Sequence, residues 1–341
     1  MFFLLLLKLI LSFQFEIMVM HLLFLLLLIF PFQSFAQENP IEEVVVYGVR
    51  PGPELWKVTK GENVLWVLGT LSPLPKKMKW HSEIVESVIQ NSQALLLQPG
   101  FSVSADIGFF GKISLASSAI GIKKNSDKQK LNDVLPKDVY ARWLVLKKQY
   151  LGRDRGVEKL RPIFASKKLY EKAINKMGLT SDTKVSKKVK KIAKKNKLTS
   201  IRPYVKIKLE NPKKTLKEFK KSNVNDSECF SKTLNRVEKD LISMRNRANA
   251  WANGDVQLLR ELKFPTQDAE CSSAILNSSV AQGVGFENLS ARMQKTWLEA
   301  AKKALDENKS TFALLHISNL LGENSYLDIL KEQGYTVHVP K

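Results

Sequence analysis

Three runs of apolar residues, each stopped by a glycine or a polar side chain, constrain this chain more than any other feature. The first is Leu65-Trp66-Val67-Leu68-Gly69-Thr70-Leu71-Ser72, the second Ala94-Leu95-Leu96-Leu97-Gln98, and the third Phe312-Ala313-Leu314-Leu315-His316-Ile317-Ser318-Asn319-Leu320-Leu321-Gly322. Runs this short, bounded by turn signals and without alternation, fit strands buried on both faces. A sheet of that kind must be covered by helices, and its polar side chains gather where the strands end.

The surrounding residues supply the helices. Leu55 to Leu68, interrupted by Gly61-Glu62-Asn63, predicts a β-hairpin. Ser82 stands where a helix cap belongs, before Ile84, Val85, Val88 and Ile89 at helical spacing. Strand, helix, strand then predicts a right-handed crossover joining parallel strands. In the middle, Pro162 opens a helix that Gly178 ends, Lys184 to Leu198 forms an amphipathic lysine-rich helix, and Leu241 to Leu262 forms another with a break at Gly254-Asp255. Near the C-terminus, Ser290 is read as a cap, Phe312 to Leu315 as a strand, Tyr326 to Gln333 as a helix and Thr336 to Val339 as the last strand. The expected class is α/β: a central, mostly parallel sheet built from two related strand-turn-helix halves. A large helical insertion, about 128–290, separates them.

Residues 1–36 read as an export signal, with a dense apolar run from Leu22 to Phe32 and small residues Ser34 and Ala36 before Gln37. A second apolar run, Phe2 to Phe15, leaves an uncleaved inner-membrane anchor open if translation begins at Met1. Residues 37–54 are expected to be a linker with a short strand. Its Ile41 to Gly48 is similar to the energy-coupling segment of TonB-dependent receptors, although an edge strand or linker is the plainer reading. Residues 55–341 form the folded domain, and the expected location is the periplasm. In that oxidising setting the only two cysteines, Cys229 and Cys271, are expected to form a disulfide, which stabilises by about 4 kcal/mol in the chain-entropy model. Lys and Arg number 54 against 33 Asp and Glu, a net charge of +21. That surplus favours anionic surfaces, with a solvated lysine surface as the plainer account.

Together the three runs resemble the TraB/PrgY/GumN family. In that family the first run continues as Gly-Thr-x-His, the second ends in Glu and the third carries Gly-x-x-His. Trp80, Pro162, the stretch from Arg247 to Trp251, Trp297 and the ending Leu330 to Val337 also stand in family order. The form Gly69-Thr70-Leu71-Ser72-Pro73-Leu74-Pro75 is similar to an exported Gram-negative, GumN-like subgroup. The resemblance implies a metal-dependent hydrolase site at the carboxyl edge of the sheet, with two histidines and a glutamate holding a divalent ion. This sequence departs from it: the three positions hold Ser72, Gln98 and Asn319. A hydroxyl and two amides lack the charge and basicity a catalytic cation requires.

The site is therefore expected to be degenerate, marked by Gly69, Ser72, Gln98, Asn319 and Gly322, with no metal, no cofactor and no catalytic residue. It is expected to hold a peptide or small polar ligand, with Arg247 and Thr70 as further ligand-binding residues. The alternatives are a metal-dependent hydrolase or peptidase with a rebuilt site and a basic adaptor on an anionic envelope surface. For a rebuilt site the donors would be His81, His316 and Glu323. Ser72 as a nucleophile finds no Gly-x-Ser-x-Gly elbow, and Pro73 after it has no N–H to donate. No specific nucleic-acid binding is expected, and no phosphate-cradling loop, CxxC pair or HExxH motif occurs.

Overall fold

The computed structural model describes residues 52–182, 184–222, 226–262, 264, 284–322 and 324–340. Residues 1–36, expected to be an export signal, the Ile41–Gly48 segment, Glu323 and Cys271 lie outside the described residues. Ten strands occur among them. The first five are β1 (Leu55–Lys60), β2 (Asn63–Thr70), β3 (Leu74–Pro75), β4 (Ala94–Leu96) and β5 (Gly100–Ser104). The other five are β6 (Leu179–Thr180), β7 (Thr199–Ile201), β8 (Tyr204–Lys208), β9 (Ser310–His316) and β10 (Thr336–His338).

Six of them form the main sheet, in the order β10-β1-β2-β9-β4-β7. From β2 to β7 every neighbour is parallel, while β1 runs antiparallel to both β2 and β10. The sheet is thus mostly parallel, as the apolar runs predict. β2 and β4 run parallel in this sheet, as the strand-helix-strand pattern predicts, but they are not neighbours: β9, arriving from far along the chain, lies between them and pairs with both. Strands from the two ends are interleaved, so the likeness of the two halves stays a likeness of local pattern.

The central position of β9 follows from its composition. Phe312, Ala313, Leu314 and Leu315 are all buried, so neither face of the strand meets water. At the other extreme β1 alternates: Trp56 and Val58 point into the core, and the Lys57 ammonium lies over the Trp66 ring. The hairpin pairs Lys60 with Asn63, and Gly61 takes φ +56 in its turn, a conformation that favours glycine.

The helices are α1 (Glu83–Gln90), α2 (Phe109–Ala119), α3 (Leu131–Val134), α4 (Lys137–Tyr150), α5 (Pro162–Lys176), α6 (Lys184–Lys195) and α7 (Pro212–Lys221). They continue as α8 (Ser227–Lys239), α9 (Leu241–Asn253), α10 (Val256–Glu261), α11 (Leu289–Glu307), α12 (Ser318–Leu321) and α13 (Tyr326–Glu332). Helix α11 lies along the sheet and buries Trp297, Leu298, Ala301, Ala304 and Leu305, at the spacing of one apolar stripe. Its cap is Asn288 rather than Ser290, which falls inside the first turn. The predicted break after α9 is present, with Gly254 at φ +73. The middle is less purely helical than expected, since β7 joins the main sheet and β8 pairs in parallel with β5.

A second core sits among α4, α5, α8 and α9, around Trp143, Leu169, Phe230 and Leu234. Cys229, on α8, is 2% exposed. In α6, the stripe of Val185, Val189 and Ala193 is spent on packing into the main core, so the lysines form the outer face of a docked helix. That stripe cannot also insert into a membrane. Among the described residues no helix is long and apolar enough to cross one.

Candidate functional site

The register of the parallel strands puts the candidate residues on one edge. Gly69 stands opposite Leu315 and Thr70 opposite His316, while Leu96 stands opposite Ala313. The carboxyl ends of β2, β9 and β4 therefore finish together. Ser72 follows β2, Gln98 follows β4, and Asn319 sits in α12 just after β9. Ligands of open α/β sheets bind at such an edge.

A directed hydrogen-bond chain ties the three ends. The Gln98 amide Nε2 donates to Thr70 Oγ1 at 2.5 Å, and Thr70 Oγ1 donates to the Leu315 carbonyl at 3.1 Å. The Ile317 N–H donates back to the Thr70 carbonyl at 2.8 Å. Direction matters here. The single Thr70 hydroxyl hydrogen is committed to a carbonyl, so what it receives from residue 98 must come from a donor. An amide can supply that hydrogen; an ionised carboxylate cannot.

Gly69 has a different role from the one its sequence context predicts. It lies inside β2, and its backbone is not in the left-handed region. What requires glycine is space: a Cβ there would come 2.4 Å from Ile317 Cδ1, 3.0 Å from Leu320 Cδ1 and 3.1 Å from Trp56 Cζ3. The strand end is packed against α12 and the hairpin, which fixes the edge on which Thr70 stands. The Gly69 carbonyl accepts from the Trp251 indole Nε1 at 2.6 Å, clamping α9 to the same spot. Trp251 stands at the end of a recognisable motif stretch, but nothing in its spacing announces that partner. Gly322 likewise caps α12 with φ −76; a Cβ there would meet the Ser318 carbonyl at 3.1 Å.

Ser72 and Asn319 are half-buried, and neither side chain is hydrogen-bonded to another described residue. The Ser72–Pro73 peptide is cis. His316 ends β9, and its Nδ1 lies 2.7 Å from Ser318 Oγ and 3.3 Å from the Ser318 N–H. His81 is on the surface at the start of α1, 3.5 Å from Glu83. Among the described residues no three His, Cys, Asp or Glu side chains converge as metal donors. Ser72, Gln98 and Asn319 do not fit a catalytic divalent ion, because each is neutral and none is an imidazole or a carboxylate.

Arg247 is not joined to this chain of hydrogen bonds. Buried in α9, its guanidinium donates to Asp240 Oδ2 at 2.6 Å and to the Leu262 carbonyl at 3.3 Å, over the Phe264 ring. Its charge is spent on holding α9 to the segment after α10. Ser82 also departs from expectation. It precedes α1 as predicted, but its hydroxyl bonds Glu86 Oε1 at 2.6 Å instead of a backbone N–H, and the Lys188 ammonium donates to it. The hydroxyl and that ammonium hold the Glu86 carboxyl below its ordinary range.

The family model for TraB/PrgY/gumN matches residues 54–339, spanning the hairpin, the parallel strands and the closing strand β10. The chain belongs to the TraB/PrgY/gumN family. Searches of the curated proteins and of the solved structures give no match. The matched region includes the three strand ends that the fold brings to a single edge.

Proposed function

We propose that this TraB/PrgY/gumN member, of the exported GumN-like subgroup, is a binding protein in which the family's hydrolytic site has become a neutral cleft. Ser72, Asn319 and the exposed side of Gln98 hold a peptide or small polar ligand by hydrogen bonds. No residue acts as nucleophile or general base. The observation that carries this reading is the donor relay from Gln98 through Thr70 to Leu315. It uses residue 98 as a hydrogen donor, the one role a glutamate cannot fill at neutral pH. Ser72 and Asn319, two half-buried groups without described side-chain partners after the neighbouring strands, supply further hydrogen-bonding capacity for a ligand.

Thermal shift of the full chain against a peptide and polar-metabolite panel tests the reading. A ligand that raises Tm in the parent and fails with Asn319→Ala supports it. Stoichiometric zinc or manganese in purified protein, or peptidase turnover that follows added manganese or cobalt, overturns it. The export reading predicts Gln37 as the N-terminal residue of protein from the envelope fraction. It also predicts a mass gain on reduction and thiol capping, from a Cys229–Cys271 bridge.

A further inference from the structure

On the β7 side of β4 lies an open cavity of about 500 Å³ lined by Leu97, Lys190, Lys194, Lys197, Arg202 and Tyr204, with Ser200 also on its wall. A cavity of that size suits a small molecule. Its charge is one-sided. Four cationic side chains face it and no acidic residue lines it. None of the four takes part in an ion pair or side-chain hydrogen bond among the described residues. Two other lysines of α6 are paired instead, Lys187 with Asp182 and Lys188 with Glu86.

The cations come from separate elements. Lys190 and Lys194 stand one turn apart on α6, Lys197 lies just beyond it, and Arg202 comes from the link between β7 and β8. Lysines in the last turn of a helix offset its dipole, which accounts for Lys194. It accounts neither for Arg202 nor for Lys197, which takes φ +59 at a helix end where glycine is the usual residue. Tyr204 forms the opposite rim. Its ring packs over Gly100, where a Cβ would sit 3.0 Å from Tyr204 Cε1, so that glycine is what lets the ring lie there.

We infer that this cavity binds a small molecule carrying a diphosphate or several phosphate groups. The guanidinium of Arg202 offers a planar fork to phosphate oxygens, and the three ammonium groups supply compact charges around it. The Ser200 hydroxyl and the Tyr204 ring add a hydrogen bond and a flat apolar wall for whatever bears the phosphates. Four unpaired positive charges favour a ligand with at least two negative ones. This site is separate from the cleft at Gln98, and its occupancy does not depend on the cleft being degenerate. A free phosphorylated metabolite and a phosphorylated lipid headgroup share the required chemistry.

Titration calorimetry of the full chain with inorganic pyrophosphate tests the inference. We expect saturable binding at one per chain. Arg202→Gln combined with Lys194→Gln should weaken it at least tenfold, with an unchanged melting temperature. Lys191→Gln combined with Lys217→Gln removes the same charge from positions outside the cavity and should change affinity less than twofold. Gln98→Ala should leave it intact, which separates this site from the cleft. Equal losses in the two charge-matched pairs, or weak binding without a fixed stoichiometry, would overturn the inference. Vesicles containing cardiolipin, whose headgroup bears two phosphates, that displace pyrophosphate identify a lipid headgroup as the source; neutral vesicles displacing it equally would count against the site, and no displacement by either assigns a free phosphate ligand.

Discussion

The carboxyl edge of the sheet and the helical middle handle polarity in opposite ways. At the edge, the connected polar side chains are a hydroxyl and an amide, Thr70 and Gln98. In the middle, Arg161 and Asp226 are 4% and 2% exposed and both are ionisable. The Arg161 guanidinium donates to the carbonyls of Lys124, Ser222, Phe219 and Lys220 and stacks on the Phe219 ring. Asp226 accepts from the Ile163 N–H at 2.8 Å and so caps α5 from outside. This fold can therefore enclose charge where the charge has enough partners. The neutrality of the sheet edge is a local property of its residues, not a limit of the scaffold.

The comparison breaks most sharply at Arg161. Arg161→Met removes the donor for four carbonyls and the positive neighbour of Asp226, and should cost about 3–5 kcal/mol in a urea or guanidinium titration. Burial holds the Asp226 carboxyl above its ordinary range. The sign follows. An ionised Asp226 opposes folding, so this part of the penalty should shrink as pH falls through its raised pKa. A variant within 1 kcal/mol of the parent would show the helical middle to be as indifferent to charge as the edge.

Gly69→Ala comes next, with an expected loss of about 1–3 kcal/mol from crowding against Ile317, Leu320 and Trp56. The same denaturant titration reads it, and Ile317→Val in the same chain should recover part of it. Gln98→Glu sharpens the contrast more directly. At pH 7 it replaces the donor to Thr70 with an acceptor and should cost about 1–2 kcal/mol. The cost should fall in mild acid, where the protonated carboxyl donates again; a pH-independent cost would mean that the relay does not set the preference for an amide.

The smallest effect at neutral pH belongs to Tyr326, packed edge-on to Trp297 in the sheet core, with ring centroids 5.5 Å apart. Burial pushes its hydroxyl up to about 12, from an ordinary 10.0. A raised folded value means its contribution is complete below pH 10 and is lost as pH rises through 12. Tyr326→Phe should therefore match the parent at pH 7 and show a shallower stability loss between pH 10 and 12.

How much of this was legible in the residues depended on the range of the interaction. Phe312 to Leu315 and Val64 to Leu68 are so uniformly apolar that their identity as buried strands follows from composition. The two-residue turn at Gly61-Glu62, the helix start at Pro162 and the break at Gly254 follow from local backbone chemistry. The three apolar runs end at one edge of the sheet, as their shared pattern implies. Partners distant in sequence were not legible. Nothing near Trp251 names the Gly69 carbonyl, nothing near Arg161 names the carbonyls around Phe219, and nothing local places β9 between β2 and β4. Gly69 itself misleads, since a strand-end glycine is read as a turn when the real constraint is three side chains pressing on its α-carbon.

The interleaving of β9 has a consequence for how the molecule is made. Thr70 and Leu315, joined by one hydrogen bond at the heart of the sheet, are 245 positions apart. While the chain emerges from a ribosome or a translocon, β2 and β4 exist early as neighbours-in-waiting with an empty lane between them. Contacts of such long sequence separation form slowly. Synthesis must therefore run nearly to the last strand before the core can close, and the early strands wait unpaired on that side until then.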